Sequence, residues 1–279
     1  MNTNSNTYTV IYSTVLVVVV AAVLAFAAMS LKPRQDENIK IETISKVLMA
    51  ATQSSSSVKV EEDTDVMALY AEKVSEAFYV DGYGKAAGEM NTGKDNVKDI
   101  VVATTGDLKK QNDIIKQIEN GNTDLLASLR LPVYIFSIDG KDITVIPCYG
   151  AGLWGPIWGY IAVAEDGQTI EGAIFDHKSE TPGLGAKIAE EPFYSQFPGK
   201  KFSDGDVKFS VVKGGANGDI SGVDAISGAT ITSRALGSTI NTWAKYYEPY
   251  FKSAAAAAQD EECCGCCEET EETANNEEE

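Results

Sequence analysis

Histidine is nearly absent from this sequence of 279 residues, because His177 is the only one. A metal site built on several histidines is therefore excluded, as is a relay that needs a second imidazole. We interpret His177, at the end of a strand-like segment, as a loop histidine hydrogen-bonded to the backbone. The sequence also lacks a G-x-G-x-x-G run after a strand and a G-x-x-x-x-G-K-[ST] run, so it shows no recognisable site for NADH or a nucleoside triphosphate.

Positive charge is scarce as well. The formal net charge is −18, which argues against nucleic acid as a partner. Residues 259–279 contain ten acidic residues and no basic one, which leaves only −8 for the remainder. Such a dense block of like charge repels itself, so we predict a disordered acidic tail over 253–279.

The five cysteines are Cys148 and a cluster in the tail, Cys263, Cys264, Cys266 and Cys267. The overlapping C-x-x-C spacings of the cluster are compatible with a metal or iron–sulfur site. The cluster lies in a polyacidic segment without a hydrophobic shell, however, and we favour a tail with no defined metal site. Cys148, at the end of a predicted strand, is interpreted as a small buried apolar residue.

Residues 10–31 contain no charged side chain and consist mostly of valine, alanine and leucine. As a helix this run is about 33 Å long, enough to cross the hydrocarbon core of a bilayer. Lys32 and Arg34 follow directly, and Pro33 between them is expected to break or kink the helix. A cleaved signal peptide is the alternative, since 25–27 resembles an A-x-A site. We favour a retained anchor, because no basic residue precedes the run and it exceeds the usual apolar length of a signal peptide.

The sequence divides into five parts: a short tail (1–9), a transmembrane helix (10–31), a helical linker region (32–130), a strand-rich domain (131–252) and the acidic tail (253–279). Apolar spacing predicts helices over 65–80 and 107–120 and a last helix over about 231–252. Two Asp-Gly pairs separate strand-like runs and predict hairpins. The predicted class is α+β, with a twisted antiparallel sheet and helices packed on it after a single transmembrane helix.

Small residues crowd the stretch "DAISGATITS" that precedes the last helix. Thr230 would lie at the helix N-terminus, where free N–H groups and the dipole attract a phosphate. Gly228 and Ala229 leave room for its approach, and Ser227, Thr232 and Ser233 add hydroxyls for capping or phosphate contacts. These properties indicate an anion site without distinguishing binding from covalent attachment. An ordinary capped helix start is the alternative.

The spacing Asp224-x-x-Ser227-Gly228-Ala229-Thr230 resembles the flavinylation motif of the FMN-binding domain family. The resemblance implies that Thr230 is esterified to the phosphate of FMN by a separate flavin transferase that uses FAD. It further implies that Asp224 serves the transferase reaction rather than electron transfer.

The segments "LKPRQ", "YGAGLWGPIWGYIAVAEDGQTIEGAIF" and "ETPGLG" are similar to the C subunits of sodium-translocating NADH:quinone oxidoreductases, in order over most of 10–245. The resemblance implies an electron-transfer subunit that works with the other subunits of a membrane complex of the translocase class. Such a complex oxidises NADH, reduces ubiquinone and exports Na⁺. This chain would supply neither the NADH site nor the sodium path, since its one span holds no ionisable group. Two alternatives are the G subunit of the Rnf complex and a non-redox, membrane-anchored assembly module.

The same resemblance implies which side chains face the flavin. Trp154 and Leu184 match positions that lie close to it in the family. Thr181 and Gly183 share the loop of Leu184 and would add polar or backbone contacts. Trp158 is interpreted as core packing instead.

The orientation of the anchor is predicted differently by two signals. Four basic residues, Lys32, Arg34, Lys40 and Lys46, follow the span and none precedes it, which would leave the domain in the cytoplasm. The resemblance implies a flavin domain on the periplasmic side of a bacterial inner membrane, and we favour it because the flavin motif is the more specific signal.

Overall fold

A computed structural model describes residues 6–61, 63–204, 207–216 and 218–268, with the side chains of 203, 204, 207 and 257–268 left out. The chain forms two compact units, residues 1–42 and 43–279. Helix α1 (Asn6–Thr52) supplies the first unit and continues into the second. Pro33 lies inside α1, so of the predicted break or kink at this residue the break is wrong, while the kink stays a prediction. Proline removes one backbone hydrogen bond, and the helical turns on both sides of it are retained.

The part of α1 that lies in the first unit is apolar and exposed. Residues 10–31 carry large apolar side chains around the whole circumference of the helix. The mean hydropathy of its most apolar window is 2.7, and among the described residues this helix alone is long and apolar enough to cross a membrane. This finding is compatible with single-pass anchoring.

The second unit is built around a six-stranded antiparallel sheet with the strand order β2-β1-β3-β4-β5-β6. Its strands are β1 (Val74–Val80), β2 (Ala86–Glu89), β3 (Leu131–Ile138), β4 (Lys141–Ala151), β5 (Pro156–Val163) and β6 (Ile170–His177). Two of the strands therefore come from the region 32–130, which we expected to be helical. The predicted α+β class, an apolar helix followed by an antiparallel sheet with helices, is confirmed.

The helix predicted over 65–80 is wrong in its second half. Helix α2 (Val66–Lys73) ends where strand β1 begins. The buried residues of β1 are Val74, Ala77 and Val80, a spacing of three that is typical of a helix. A bulge between Val74 and Glu76 places Val74 and Ala77 in the same core cluster, whereas Val80 belongs to the cluster on the other face of the sheet.

Both predicted hairpins are present. Asp139 and Gly140 have φ of 53° and 75° and join β3 to β4, as a tight two-residue turn requires. Between β5 and β6, the carboxylate of Asp166 accepts hydrogen bonds from the N–H groups of Gln168 and Thr169. These local bonds favour the turn independently of the sheet.

Helices cover both faces of the sheet. One face packs against α3 (Thr105–Glu119) and α5 (Thr230–Glu268), and the other against the end of α1 and against α2. The predicted stripe on α5 is completely buried, and it consists of Leu236, Ile240, Trp243 and Tyr247.

Short elements connect β6 to α5. They are the 3₁₀ turn Gly185–Ala189, α4 (Glu191–Tyr194), the pair β7 (Ser203–Asp204) and β8 (Val207–Lys208), and the parallel pair β9 (Ser210–Val212) and β10 (Gly222–Asp224). Two further 3₁₀ turns, Val97–Asp99 and Thr123–Ser128, precede the central strands. Strand β10 places the "SGAT" turn directly before α5.

Helix α5 continues past the predicted end at about 252 to Glu268. Part of the region 253–279, which we expected to be disordered, is therefore helical. The five consecutive alanines of 254–258 explain the extension, because alanine has the highest helix propensity. Residues 269–279 lie outside the described residues.

Candidate functional site

Three loops meet at one corner of the second unit. They are the β4–β5 loop "GLWG" (152–155), the "ETPGLG" loop after β6 (180–185) and the "SGAT" turn before α5 (227–230). A Cβ atom built on Gly228 would lie 3.0 Å from Cδ2 of Leu184, so the second and third loops touch. The N–H of Trp154 donates to Oε1 of Glu180 at 2.9 Å, which ties the first loop to the second. The structure thus brings the predicted residues 154, 181–184 and 227–230 together.

The "SGAT" turn has the geometry of a tight helix start. The N–H of Ala229 donates to the carbonyl of Ile226 at 3.1 Å, and Gly228 has a φ of 79°. A residue with a side chain is strained at this φ, which explains the glycine. Thr230 is the first residue of α5, as predicted, and it is half-buried.

The hydroxyl groups near this turn point in two directions. Thr232 donates to Oε2 of Glu180 at 2.7 Å, and Oγ of Ser233 accepts the N–H of Ile226 at 3.1 Å. Both residues are buried, so their hydroxyls are used inside the protein. Ser227 is exposed, and within the described part of the chain neither Ser227 nor Thr230 has a hydrogen-bond partner for its side chain. These two hydroxyls are therefore free to contact solvent or a ligand.

Large apolar side chains around the turn are exposed to solvent. Trp154 is 66% exposed and Leu184 is 42% exposed, and Leu153 and Ile231 are exposed beside them. Trp158, in contrast, is half-buried and packs against the core on both faces of the sheet, as predicted. Because Trp154 takes no part in the core, its position calls for another explanation.

Thr181 and Gly183 shape the loop that carries Leu184. The carbonyl of Thr181 accepts the N–H groups of Leu184 and Ala186 at 3.1 and 3.2 Å, and Gly183 has a φ of 76°. Both residues are exposed. This local turn presents the side chain of Leu184 outward.

Asp224 lies apart from the three loops, at the end of β10. Its N–H donates to Oε1 of Gln196 at 2.8 Å, and its carboxylate accepts the N–H of Ala216. The residue is exposed. Its position leaves the carboxylate accessible to another protein.

Sequence reasoning missed Glu180. This carboxylate is only 4% exposed and accepts hydrogen bonds from Trp154 and Thr232. Burial alone would raise the pKa of Glu180, but these two bonds, a bond from the backbone of Leu153 and the nearby ring of His177 lower it below its usual value. The charged glutamate in front of "TPGLG" was visible in the sequence, whereas its partners are 26 and 52 residues away.

His177 forms the backbone contact that we predicted. Its Nδ1 atom accepts the N–H of Glu180 at 3.3 Å, and the ring is half-buried. The bond holds the first residue of the "ETPGLG" loop near the end of β6.

No metal site is found among the described residues, where no three His, Cys, Asp or Glu side chains cluster. The side chains of Cys263, Cys264, Cys266 and Cys267 lie outside the described part of the chain. Cys148 is buried as predicted, and burial raises the pKa of its thiol to about 12.

The apolar side chains of the corner are exposed to solvent. A groove of about 510 Å³ lies beside it, between α3 and the ends of β4 and β5. The lining of this groove includes Trp158 and Lys178 but none of the residues predicted to contact a flavin. The exposed apolar residues of the corner, Leu153, Trp154, Leu184 and Ile231, form an open platform.

Comparison with known proteins agrees with this geometry. Residues 152–245, which contain all three loops, match the FMN-binding domain family. Over 237 residues the chain is 32% identical to the C subunit of the Na(+)-translocating NADH-quinone reductase of Vibrio vulnificus strain YJ016, covering 82% of this chain and 86% of the relative. It is 28% identical over 260 residues to the corresponding protein of Neisseria meningitidis serogroup B, covering 86% and 93%.

Two solved structures have the same fold. The crystal structure of the corresponding protein from Parabacteroides distasonis ATCC 8503 matches with a TM-score of 0.60 and 30% identity, covering 79% of this chain and 96% of that one. The Shewanella oneidensis NqrC structure matches with a TM-score of 0.58 and 28% identity, covering 79% and 99%.

The fold and the matched segment define the chain as an FMN-binding flavoprotein with a long apolar N-terminal helix. Its identity over most of its length goes further. The chain belongs to the NqrC family, the C subunits of Na⁺-translocating NADH-quinone reductases, and it is therefore part of an oxidoreductase complex. The resemblance predicted from the sequence is confirmed.

Proposed function

We propose that this chain carries FMN covalently through a phosphoester to Thr230 and relays electrons between redox centres of the complex. The observation that supports this proposal is the convergence of three loops around Thr230, with exposed apolar side chains on or beside each. An isoalloxazine is a flat, largely apolar ring system that binds against such side chains. When bound, FMN supplies the redox chemistry, while the protein supplies its position and its electrostatic environment.

The residues of the corner fit the two ends of the cofactor. The first N–H groups of α5 have no partner inside the helix and favour a phosphate at Thr230. Gly228 and Ala229 add no bulk there, and the exposed hydroxyl of Ser227 is available as a hydrogen-bond donor. Trp154 and Leu184 would contact the ring system, with Thr181 and Gly183 at its edge.

A covalent bond suits an open platform. The apolar side chains lie on an exposed surface, so noncovalent contacts alone would leave much of the ring in water. A tether keeps the ring at a high effective concentration over the platform without requiring it to be enclosed. The exposed ring edge would remain accessible to the donor and acceptor centres of neighbouring subunits.

Attachment requires a separate flavin transferase with FAD as the donor. The oxygen of the Thr230 hydroxyl forms a bond to the phosphorus of the FMN half, the bond between the two phosphates breaks, and AMP leaves. The hydroxyl proton passes to a base of the transferase. Asp224 is exposed at the end of β10, where it is accessible to this enzyme.

Helix α1 would anchor the domain to a bacterial inner membrane, with the flavin domain on the periplasmic side. The opposing charge signal is weaker than the sequence alone indicates. Lys46, one of the four basic residues after the span, forms an ion pair with Asp176 inside the folded second unit. Its charge therefore has a structural role.

Expression with and without a flavin transferase tests the proposal, with wild type, Thr230→Ala and Ser227→Ala run on a denaturing gel under ultraviolet light. We expect a fluorescent band in wild type only when the transferase is present. Thr230→Ala should abolish the band, and Ser227→Ala should retain it at reduced intensity. A dark wild-type band beside a fluorescent control substrate of the transferase would contradict covalent attachment and favour an assembly module.

A further inference from the structure

A single buried carboxylate connects all three loops of the corner. Oε1 of Glu180 accepts the N–H of Trp154 at 2.9 Å, and Oε2 accepts the hydroxyl of Thr232 at 2.7 Å. Glu180 itself begins the "ETPGLG" loop. The carboxylate therefore joins the "GLWG" loop and the first turn of α5 to the loop that carries Leu184.

Two glycines make room for this carboxylate. A Cβ atom on Gly152 would lie 2.5 Å from Oε1, and one on Gly185 would lie 2.3 Å from Oε2 and 2.8 Å from Oγ1 of Thr232. Real Cβ atoms do not approach other atoms this closely, so a larger residue at either position would displace the carboxylate. The packing of both neighbouring loops is thus adapted to Glu180.

Both oxygens of Glu180 accept a hydrogen bond, as the two oxygens of an ionised carboxylate do. Both partners of Glu180 are donors, an N–H group and a hydroxyl, and a carboxylate accepts at both of its oxygens. A glutamine can accept from Trp154 through its one oxygen, but it presents an NH₂ group to Thr232. Bonds to a buried charged acceptor are the stronger kind of hydrogen bond, which suits a residue that orders exposed loops.

We infer that Glu180 is a positioning residue for the flavin site, which holds Trp154 and the helix start at Thr230 in the arrangement that attachment and ring contact require. The inference rests on the proposed function. Glu180 acts through its partners, since its own side chain lies beneath the loops and is turned away from solvent. Loss of the carboxylate would release Trp154 from the start of α5 while leaving Thr230 chemically intact.

The first experiment uses the full-length chain without transferase, so it is independent of flavin. Amide hydrogen exchange is measured at Trp154 and, as an internal reference, at the buried strand residue Val145. In Glu180→Ala we expect exchange at Trp154 to rise about 10-fold or more, the factor expected when a hydrogen bond to a charged group is lost. Glu180→Gln should stay close to wild type, because its amide oxygen can still accept. Val145 should not change in either variant.

The second experiment measures the rate of flavin attachment by the transferase. Glu180→Ala should lower the rate about 10-fold or more, on the same argument, and Glu180→Gln should restore most of it. Glu190→Ala serves as the matched control, because Glu190 is an exposed carboxylate ten positions along the same connection. Its rate should equal that of wild type.

Thr232→Val keeps the test decisive if Glu180→Ala folds poorly. This variant removes one donor and preserves the size of the side chain. It should slow attachment, and it should slow it less in the Glu180→Gln background, because glutamine leaves no buried charge without a donor.

The outcomes distinguish the proposed function, covalent attachment of FMN, from the inferred positioning role of Glu180. If wild type is not flavinylated, the proposed function fails, and the exchange experiment still decides the role of Glu180 in ordering Trp154. If wild type is flavinylated, and Glu180→Ala or Thr232→Val shows the attachment rate and the Trp154 exchange of wild type, the inference is overturned. Additive effects of Glu180→Gln and Thr232→Val would also overturn it.

Discussion

Among the described residues, two groups of exposed apolar side chains differ in what lies beneath them. The first group covers α1 over residues 10–31 on all sides, without a charged residue. The second group is small and consists of Leu153, Trp154, Leu184 and Ile231, on or beside three separate loops. Beneath the second group lies a polar framework in which Glu180 and Thr232 are buried and bonded to each other.

This difference indicates two kinds of apolar partner. A long apolar helix with no buried polar framework beneath it suits the fluid hydrocarbon core of a membrane. Such a partner requires a certain length and apolarity but no defined surface shape. A short surface fixed by buried hydrogen bonds suits a rigid ring, whose orientation matters. Exposure of apolar residues alone therefore does not identify the ligand, whereas the order of the backbone beneath them distinguishes the two cases.

The largest effect is expected on membrane retention, when charged residues are introduced into the first group, on α1. Val19→Lys combined with Val23→Lys should release the chain from membranes, since a lysine at the centre of a membrane helix costs about 2.5–3.5 kcal/mol. Carbonate extraction of membranes measures the retained fraction. Leucine at both positions is the matched control and should leave retention unchanged. Full retention of the double lysine variant would mean that α1 is not the anchor.

The next largest effect is a difference in stability between substitutions of two tryptophans, Trp158 and Trp154, which are four positions apart. Trp158→Ala should lower the free energy of unfolding by about 2–3 kcal/mol, because the ring packs against both faces of the core and Lys46 lies 5.8 Å from its centroid. Trp154→Ala should lower it by about 0.5 kcal/mol or less, because the ring is largely exposed. Urea unfolding of the unflavinylated chain measures both. Equal losses would contradict the view that Trp154 is reserved for a ligand.

Sequence patterns predicted the parts of the fold that depend on local interactions. The Asp-Gly turn at 139–140 joins β3 to β4 because both residues adopt positive φ, which this residue pair favours in isolation. The row of buried apolar residues on α5 was also predicted correctly, since its spacing follows the helical period. The "SGAT" motif pointed to the candidate site because its residues are consecutive.

Features that depend on distant partners were not readable. Strand β1 was predicted as helix because a bulge against β3 and burial on both faces of the sheet together give its buried residues a spacing of three. Glu180 was missed because its role depends on Trp154 and Thr232, which become its neighbours only in the folded sheet. A buried charge between two glycine-containing loops is a tertiary property, and no local pattern encodes it.

A smaller difference in stability is expected between substitutions of two glycines in the "ETPGLG" loop. Gly185→Ala should lower the free energy of unfolding by about 1–3 kcal/mol, since its Cβ would lie 2.3 Å from Oε2 of the buried Glu180. Gly183→Ala meets no atom within 4 Å, and its positive φ alone should cost about 1 kcal/mol.

Urea unfolding of the unflavinylated chain measures both variants. The combination Gly185→Ala with Glu180→Ala is the control, because removing the carboxylate should relieve the clash and make the second substitution less costly. Simple addition of the two losses would show that Gly185 does not make room for Glu180.

The smallest effect is the pH dependence of stability that Glu180 contributes. Because the pKa of Glu180 is lowered by folding, its contribution is complete above the usual glutamate pKa of about 4.3 and is lost as the pH falls through the lower folded value. Urea midpoints of wild type should therefore fall more steeply below this pH than those of Glu180→Gln, which has no proton to bind there. Other carboxylates titrate equally in both chains, so the difference between the two curves isolates Glu180.

The ring of His177 faces the same carboxylate, and repeating the comparison with His177→Asn in both chains removes its contribution. Parallel curves in both backgrounds would mean that folding does not shift the pKa of Glu180, and the distinction drawn between the two apolar surfaces would lose its electrostatic basis.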